Sequence, residues 1–115
     1  MSAKTDSDYL RDMLQYAEEA QALVSGRAAE DLMADRALRY ALQYCLLVIG
    51  EAASRISETT REKIPNIPWR QVVGMRNWLA HGYSVIRTET LWETATKDLP
   101  ALTEDILGFL PPEQT

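Results

Sequence analysis

Residues Met75–Ile86 read MRNWLAHGYSVI and carry the only histidine of the chain, His81. Arg76 stands five positions before it, Asn77 four before it, and Tyr83 two after it. Imidazole titrates near neutrality and can give or take a proton at physiological pH. A guanidinium stays charged and forks onto the oxygens of a phosphate. A phenol adds a hydroxyl that can donate, accept or be modified. These groups suit proton transfer at an anionic substrate, but they also have a plainer reading. A histidine in the last turn of a helix interacts favourably with the negative end of the dipole. Asn77 could hydrogen-bond across that turn, and Arg76 could be a solvated charge.

The choice depends on the helix that holds them. Asn77 and His81 would lie about 40° apart on one face, whereas Arg76 and His81 would lie about 140° apart. A regular helix therefore does not aim both at one small target. Gly82 is a favoured residue just past a helix end. Ending the helix there lets His81 and Tyr83 leave the helical path and turn toward the arginine or toward a second copy of the chain.

The spacing of apolar residues predicts the supporting elements. A first helix spans about Ser7 to Val24, with Leu10, Met13, Leu14, Ala17, Ala20 and Val24 as its stripe, Asp6 or Ser7 as cap and Ser25-Gly26 as its end. A short turn covers Ala28–Met33. The longest helix runs from about Asp35 to Ser57 and buries Leu38, Ala41, Leu42, Cys45, Ile49, Ala52 and Ile56. A third runs from Trp69 to His81, opened by Pro68. A fourth runs from Thr88 to Leu110 through Trp92, Ala95, Leu99, Leu102, Ile106 and Phe109. Pro100 interrupts it, and with Asp98 as a cap it reads as a kink or a restart. No window alternates with period two. The expectation is an all-α fold, an antiparallel bundle of four to five helices forming one domain over residues 1–115.

Composition narrows the function. The 115 residues carry a net charge of −5 with a pI near 4.8, which is not the footprint of a general nucleic-acid binder. One cysteine cannot form an internal disulfide. The polar N-terminus has no signal-peptide core, and CLLVI is too short to span a bilayer. The default address is cytoplasmic. One histidine and one cysteine cannot build a zinc site from soft ligands, and Trp78 stands where a Glu-x-x-His di-iron motif would need glutamate. Neither phosphate-binding glycine loop is present. An enzyme built this way would work without metal or cofactor.

The pattern Arg76-x4-His81-x-Tyr83 resembles the signature of the HEPN superfamily, and its surroundings resemble the HepT-like branch. The resemblance extends to IGEAASRIS (Ile49–Ser57), IPWRQVVGMRN (Ile67–Asn77), HGY and LWETATKDLPAL (Leu91–Leu102), in that order. It covers about residues 35 to 107. It implies a helical bundle paired as a twofold homodimer, with the two Arg-His motifs facing each other across a cleft. It also implies a metal-independent endoribonuclease, the toxin of a type VII-like toxin–antitoxin system. In that branch a cognate nucleotidyltransferase antitoxin adenylylates the motif tyrosine, here Tyr83, and silences the toxin. The number of antitoxin chains in such an assembly is open.

That chemistry needs a base for the RNA 2′-hydroxyl, an acid for the leaving oxygen and positive charge on the phosphorane-like transition state. His81 suits proton transfer, Arg76 the charge, and Asn77 the orientation of the ring or of a phosphate oxygen. Acid and base together suggest two histidines, and a twofold dimer supplies the second. A covalent AMP on Tyr83 would set an anion beside Arg76 and fill the cleft. Two other readings compete. One is a non-catalytic HEPN module that grips a nucleotide or partner, and the other is a structural bundle that serves only to dimerise.

The remaining residues have simpler expectations. Cys45 reads as a small core residue. Glu51 and Arg55 form a local ion pair or line the cleft near the motif. Trp69, Trp78 and Trp92 are core or dimer anchors, with Trp78 the candidate for the dimer contact. Arg36, Arg39 and Arg55 form a loose basic row that is either a solvated face or a path for the RNA backbone.

Overall fold

In the computed structural model, residues 3–81 and 87–112 are described, and among them there are helices and no strands. Helix α1 spans Asp6–Val24. Its cap is Thr5, one residue earlier than expected, whose hydroxyl accepts from the Asp8 amide while the Asp8 carboxylate accepts from the Thr5 amide. This reciprocal pairing satisfies two of the helix's orphan donors. The helix ends at Ser25-Gly26, where Gly26 takes a φ of 74°, a conformation that glycine adopts without a Cβ penalty.

Helix α2 covers Ala29–Ala34, and α3 covers Arg36–Ser54 with the Asp35 carboxylate accepting from the Leu38 amide at its start. The expected continuation of α3 to Ser57 does not occur. Ser57 instead caps α4, Glu58–Lys63, by accepting from the Thr60 amide. Nothing in the apolar spacing announces α4, because ETTREK contains no buried residue. Asp6, freed from capping α1, ties the two elements together. Its carboxylate accepts from the Ser57 and Thr60 hydroxyls, each at 2.6 Å, and from the Ser57 amide.

Helix α5 spans Trp69–His81, the expected bounds. The last expected helix is a continuous rod in three parts: α6 (Thr88–Glu93), a π-helical turn (Thr94–Asp98) and α7 (Leu99–Phe109). Asp98 stays in helical conformation and makes no side-chain cap, contrary to expectation. The rod absorbs Pro100 through the wider turn, in which the Leu99 amide bonds to the Thr94 carbonyl. The turn also shifts the buried face. An unbroken α-helix places Trp92 and Leu99, seven residues apart, on one side. The extra residue of the π turn brings Leu91 there instead. Leu91 is fully buried and Trp92 only half-buried, and at the far end Leu110 is buried while Phe109 is exposed.

Packing centres on α3, which lies against α1, α2, α5 and α6, while α1 also packs on α7 and the π turn. The core joins Leu10, Met13 and Ala17 of α1 to Leu42, Leu46 and Ile49 of α3 and Leu99 and Ile106 of α7. Leu46 and Ala53 are buried although they lie off the narrow expected stripe, whereas Ala41 and Leu14 are only half-buried. Between α5 and the rod lies a groove of about 310 Å³, lined among others by Val72, Met75, Trp78, Thr94, Leu99 and Leu102. No helix of the described residues is long and apolar enough to cross a membrane.

Two contacts set the position of α5. At its start, the Trp69 indole N–H donates to the carbonyls of Arg61 and Ile64, both at 3.1 Å. The Arg61 guanidinium lies 5.7 Å from the Trp69 ring centre and donates to the carbonyls of Ala53 and Ile56 where α3 ends. Charge, ring and orphan carbonyls thus couple the end of α3 to the start of α5. Further along, α5 crosses α3 at Gly50. A Cβ at Gly50 would lie 2.8 Å from the Arg76 amide nitrogen and 3.1 Å from its Cβ.

Gly50→Ala must therefore push α5 outward. The expected cost is about 1–3 kcal/mol, as for other overpacked sites, read as a lower Tm, whereas Gly74→Ala, where a Cβ meets nothing within 4 Å, leaves Tm unchanged or raised. The Asp6 contacts predict a pH dependence. Hydrogen bonds from Ser57 and Thr60 hold the Asp6 carboxyl below its ordinary value of 3.8. Its contribution is complete above that unfolded value and is lost as pH falls through the lower folded one. Asp6→Asn should melt earlier than wild type at about pH 7 and converge with it at about pH 2, measured by thermal melts across pH.

Candidate active site on helices α3 and α5

Of the expected site residues, Arg76 and Asn77 stand exposed on the second half of α5, and His81 is its last residue. The His81 side chain, and Gly82 and Tyr83 entirely, lie outside the described residues, so the expected turn at Gly82 and the placing of Tyr83 are not described. One helix thus carries the guanidinium, the amide and the imidazole, and that helix is fixed to α3 at two points.

The charge on Arg76 has a definite partner. Its Nε meets Oε2 of Glu51, on α3, at 2.5 Å. Oε1 of the same carboxylate accepts from Nε and a terminal nitrogen of Arg55, at 3.2 and 3.1 Å. The local ion pair expected between Glu51 and Arg55 is present, and the carboxylate also reaches the motif arginine. This second contact is the feature that sequence spacing did not supply. Glu51 and Arg55 are one turn apart on one helix and so can be paired by inspection. Glu51 and Arg76 meet only because α5 crosses α3 at Gly50, the residue just before Glu51.

All three side chains keep access to solvent. Arg55 is 60% exposed, Arg76 46% and Glu51 40%. The cluster holds two positive charges and one negative, a formal sum of +1, in a chain whose total is −5. The terminal edge of a guanidinium can fork onto two oxygens of one phosphate. The contact with Glu51 is made through Nε of Arg76, on the stem side of its guanidinium.

Other candidates separate clearly. Arg39 does not belong to a basic row, because its guanidinium donates to the Leu32 and Met33 carbonyls and closes the end of α2. Arg36 is exposed at the start of α3. Cys45 is buried, and burial pushes its thiol pKa up, which suits a core residue rather than a nucleophile. Trp69 is the brace at the start of α5, Trp78 lines the groove facing the rod, and Trp92 is half-buried on the rod itself.

Known proteins are similar to this sequence over most of its length. The family model for ribonuclease HepT-like proteins matches residues 13–107. A protein of Methanocaldococcus jannaschii named "Putative RNase MJ1216" is 35% identical over 97 residues, covering 84% of this chain and 80% of its own. "Putative RNase TTE0752" of Caldanaerobacter subterraneus subsp. tengcongensis is 34% identical over 111 residues, 96% of this chain and 99% of its own. "Probable ribonuclease HepT" of Thermococcus cleftensis is 31% identical over 99 residues, 86% of this chain and 90% of its own. No solved structure gives a significant match. With an all-helical bundle, the motif arginine anchored on its surface and a family match that spans most of its length, the chain belongs to the HepT-like family of the HEPN superfamily.

Proposed function

We propose that this protein is a metal-independent endoribonuclease that cuts RNA at the Arg76-x4-His81-x-Tyr83 motif. The observation that carries the proposal is the anchored, solvent-facing guanidinium of Arg76 on the helix that His81 closes. The family's relatives named as RNases support the same reading. In this mechanism the RNA 2′-hydroxyl attacks the adjacent phosphorus, and its proton passes to a histidine. The bond from phosphorus to the 5′-oxygen breaks, and that oxygen takes a proton from an acid. The products are a 2′,3′-cyclic phosphate and a 5′-hydroxyl. Arg76 neutralises the charge that builds on the non-bridging oxygens, where a preorganised donor acts most strongly. Asn77 orients the imidazole or a phosphate oxygen.

Each chain has one histidine. The active species in this proposal is a twofold homodimer in which two motifs share a cleft, so that one imidazole serves as base and the other as acid. The protein is the toxin of a toxin–antitoxin pair acting in the cytoplasm. Its antitoxin is a nucleotidyltransferase that transfers AMP from ATP to the Tyr83 hydroxyl and releases pyrophosphate. The new phosphodiester is an anion that competes with RNA for Arg76, and its adenosine adds bulk. A hetero-oligomer of toxin and antitoxin belongs to the same proposal.

Arg76→Ala and His81→Ala should each lower RNA cleavage by at least about a hundredfold while circular dichroism shows the helical fold intact. Wild-type cleavage should persist in EDTA and yield cyclic-phosphate ends. Cleavage by either variant at the wild-type rate removes the residue from the mechanism, and full activity in a monomeric variant removes the shared cleft. Incubation with the cognate nucleotidyltransferase, ATP and Mg²⁺ should add the mass of AMP to Tyr83 and abolish cleavage. Tyr83→Phe should resist both effects. Label on another tyrosine, or equal modification of Tyr83→Phe, counts against silencing at this position.

A further inference from the structure

The Glu51 carboxylate is shared between two helices, and the sharing has a chemical use beyond folding. Exposed ion pairs between single side chains contribute little to stability, and Arg55 alone, one turn away on α3, would partner Glu51. Its second oxygen instead meets Arg76 on α5. One anion therefore holds two cations side by side that would otherwise repel, and leaves the group with a surplus positive charge beside the motif.

The surroundings extend the site on the Arg55 side. Glu51 and Arg55 border a hollow of about 340 Å³ that is also lined by Lys4, Tyr9, Asp12, Val48 and Ala52. The Lys4 ammonium pairs with Asp12 and sits 5.1 Å from the centre of the Tyr9 ring. The hollow thus offers an aromatic ring and an aliphatic wall next to the Arg55 cation, with the charge of Lys4 balanced by Asp12. Bases stack on such rings and phosphates follow such cations in single-stranded nucleic-acid sites.

We propose that Glu51 ties Arg55 and Arg76 into one phosphate clamp, in which Arg76 takes the scissile phosphate of an RNA strand and Arg55 takes the neighbouring one, with the hollow receiving the adjoining nucleotide. The identity of the scissile phosphate rests on the ribonuclease reading; the binding of a strand by the two arginines does not. Arg55 is then a substrate-binding residue and Glu51 a positioning residue that acts through both guanidiniums. Neutralising Glu51 raises the local charge while releasing the arginines from their shared anchor. RNA should bind as well or better, while the transition state loses an aligned donor.

The test uses the full chain and two oligoribonucleotides of the same sequence, one unmodified and one 2′-O-methylated throughout. The methylated strand cannot be cut, so it reports binding whether or not the protein is a nuclease. Arg55→Ala should weaken its binding by about tenfold, the scale of a charge-assisted hydrogen bond, and reduce the slope of log affinity against log salt by about 0.7 for one lost phosphate contact. Arg70→Ala, an exposed arginine at the start of α5, is the control and should bind as wild type. With unmodified RNA, Glu51→Gln should lower kcat with KM unchanged or reduced, a split that mere loss of folded protein does not produce. Wild-type affinity and salt slope in Arg55→Ala, or no binding of the methylated strand by wild type, overturns the clamp. Unchanged kcat in folded Glu51→Gln overturns the role of Glu51. A strand that binds and responds to Arg55→Ala but is never cut in its unmodified form upholds the clamp and sinks the ribonuclease reading.

Discussion

Where α5 crosses α3, the space that a side chain at Gly50 would fill is taken by the backbone of Arg76. The approach brings the next residue on α3, Glu51, within reach of the arginine, so one contact between helices sets both a packing distance and an electrostatic pair. The two conditions reinforce each other. With a Cβ at position 50, the carboxylate and guanidinium would be held further apart. Without the ion pair, a long arginine side chain on an exposed face would retain its rotamer freedom. The other end of α5 is held by different means, through Trp69, Arg61 and the last carbonyls of α3. A helix fixed at its start and near its middle has little freedom to tilt, and Arg76 inherits that constraint.

The opposite side of α5 is built differently. There the helix and the rod leave a groove floored by apolar side chains and rimmed by polar ones. The rod owes its course to Pro100, which the π turn accommodates, and the turn rotates Leu91 into the core in place of Trp92. Threonine hydroxyls bond back to carbonyls four residues earlier along the rod, at Thr94, Thr96 and Thr103. Such bonds bend helices slightly, so several small local effects jointly shape one wall of the groove. The same helix therefore presents a charged edge to α3 and an apolar one to the rod.

These differences explain what could be read in the sequence. Helices with a continuous apolar stripe were legible, and the start of α5 was legible because Pro68 punctuates it. Helix α4 was not, because it buries nothing, and beyond its local Ser57 cap it is held by Asp6 from α1 and by the reach of Arg61 to the carbonyls of Ala53 and Ile56. The phase of the rod was misread because periodicity assumes 3.6 residues per turn, and the π turn breaks that assumption. At the site, residue types and spacing singled out Arg76, Asn77, His81 and Tyr83. The bond from Glu51 to Arg76 depends on how two helices cross, and no pattern within either helix encodes it. The resemblance of the IGEAA block allows Glu51 and Arg55 to line the cleft near the motif, and Gly50, a small residue in the buried face of α3, is what lets the helices come close enough.

The acidity of the chain fits the proposed phosphate clamp better than it fits a broad nucleic-acid surface. A protein of net charge −5 gains no general electrostatic attraction to a polyanion. At physiological salt, however, charges are screened over about 8 Å, so a strand close to Arg55 and Arg76 responds mainly to the nearest groups. There Arg55, Arg76 and Glu51 sum to one positive charge, and Lys4 and Asp12 of the adjoining hollow balance each other. Long-range repulsion then opposes indiscriminate coating of the protein by RNA, while the short-range field still favours a phosphate at the motif. Such a surface trades association rate for selectivity of position. The partition also explains why Glu51 is compatible with a phosphate site. Its charge is already divided between two cations, so it faces a bound phosphate as part of a positive group rather than as an isolated anion.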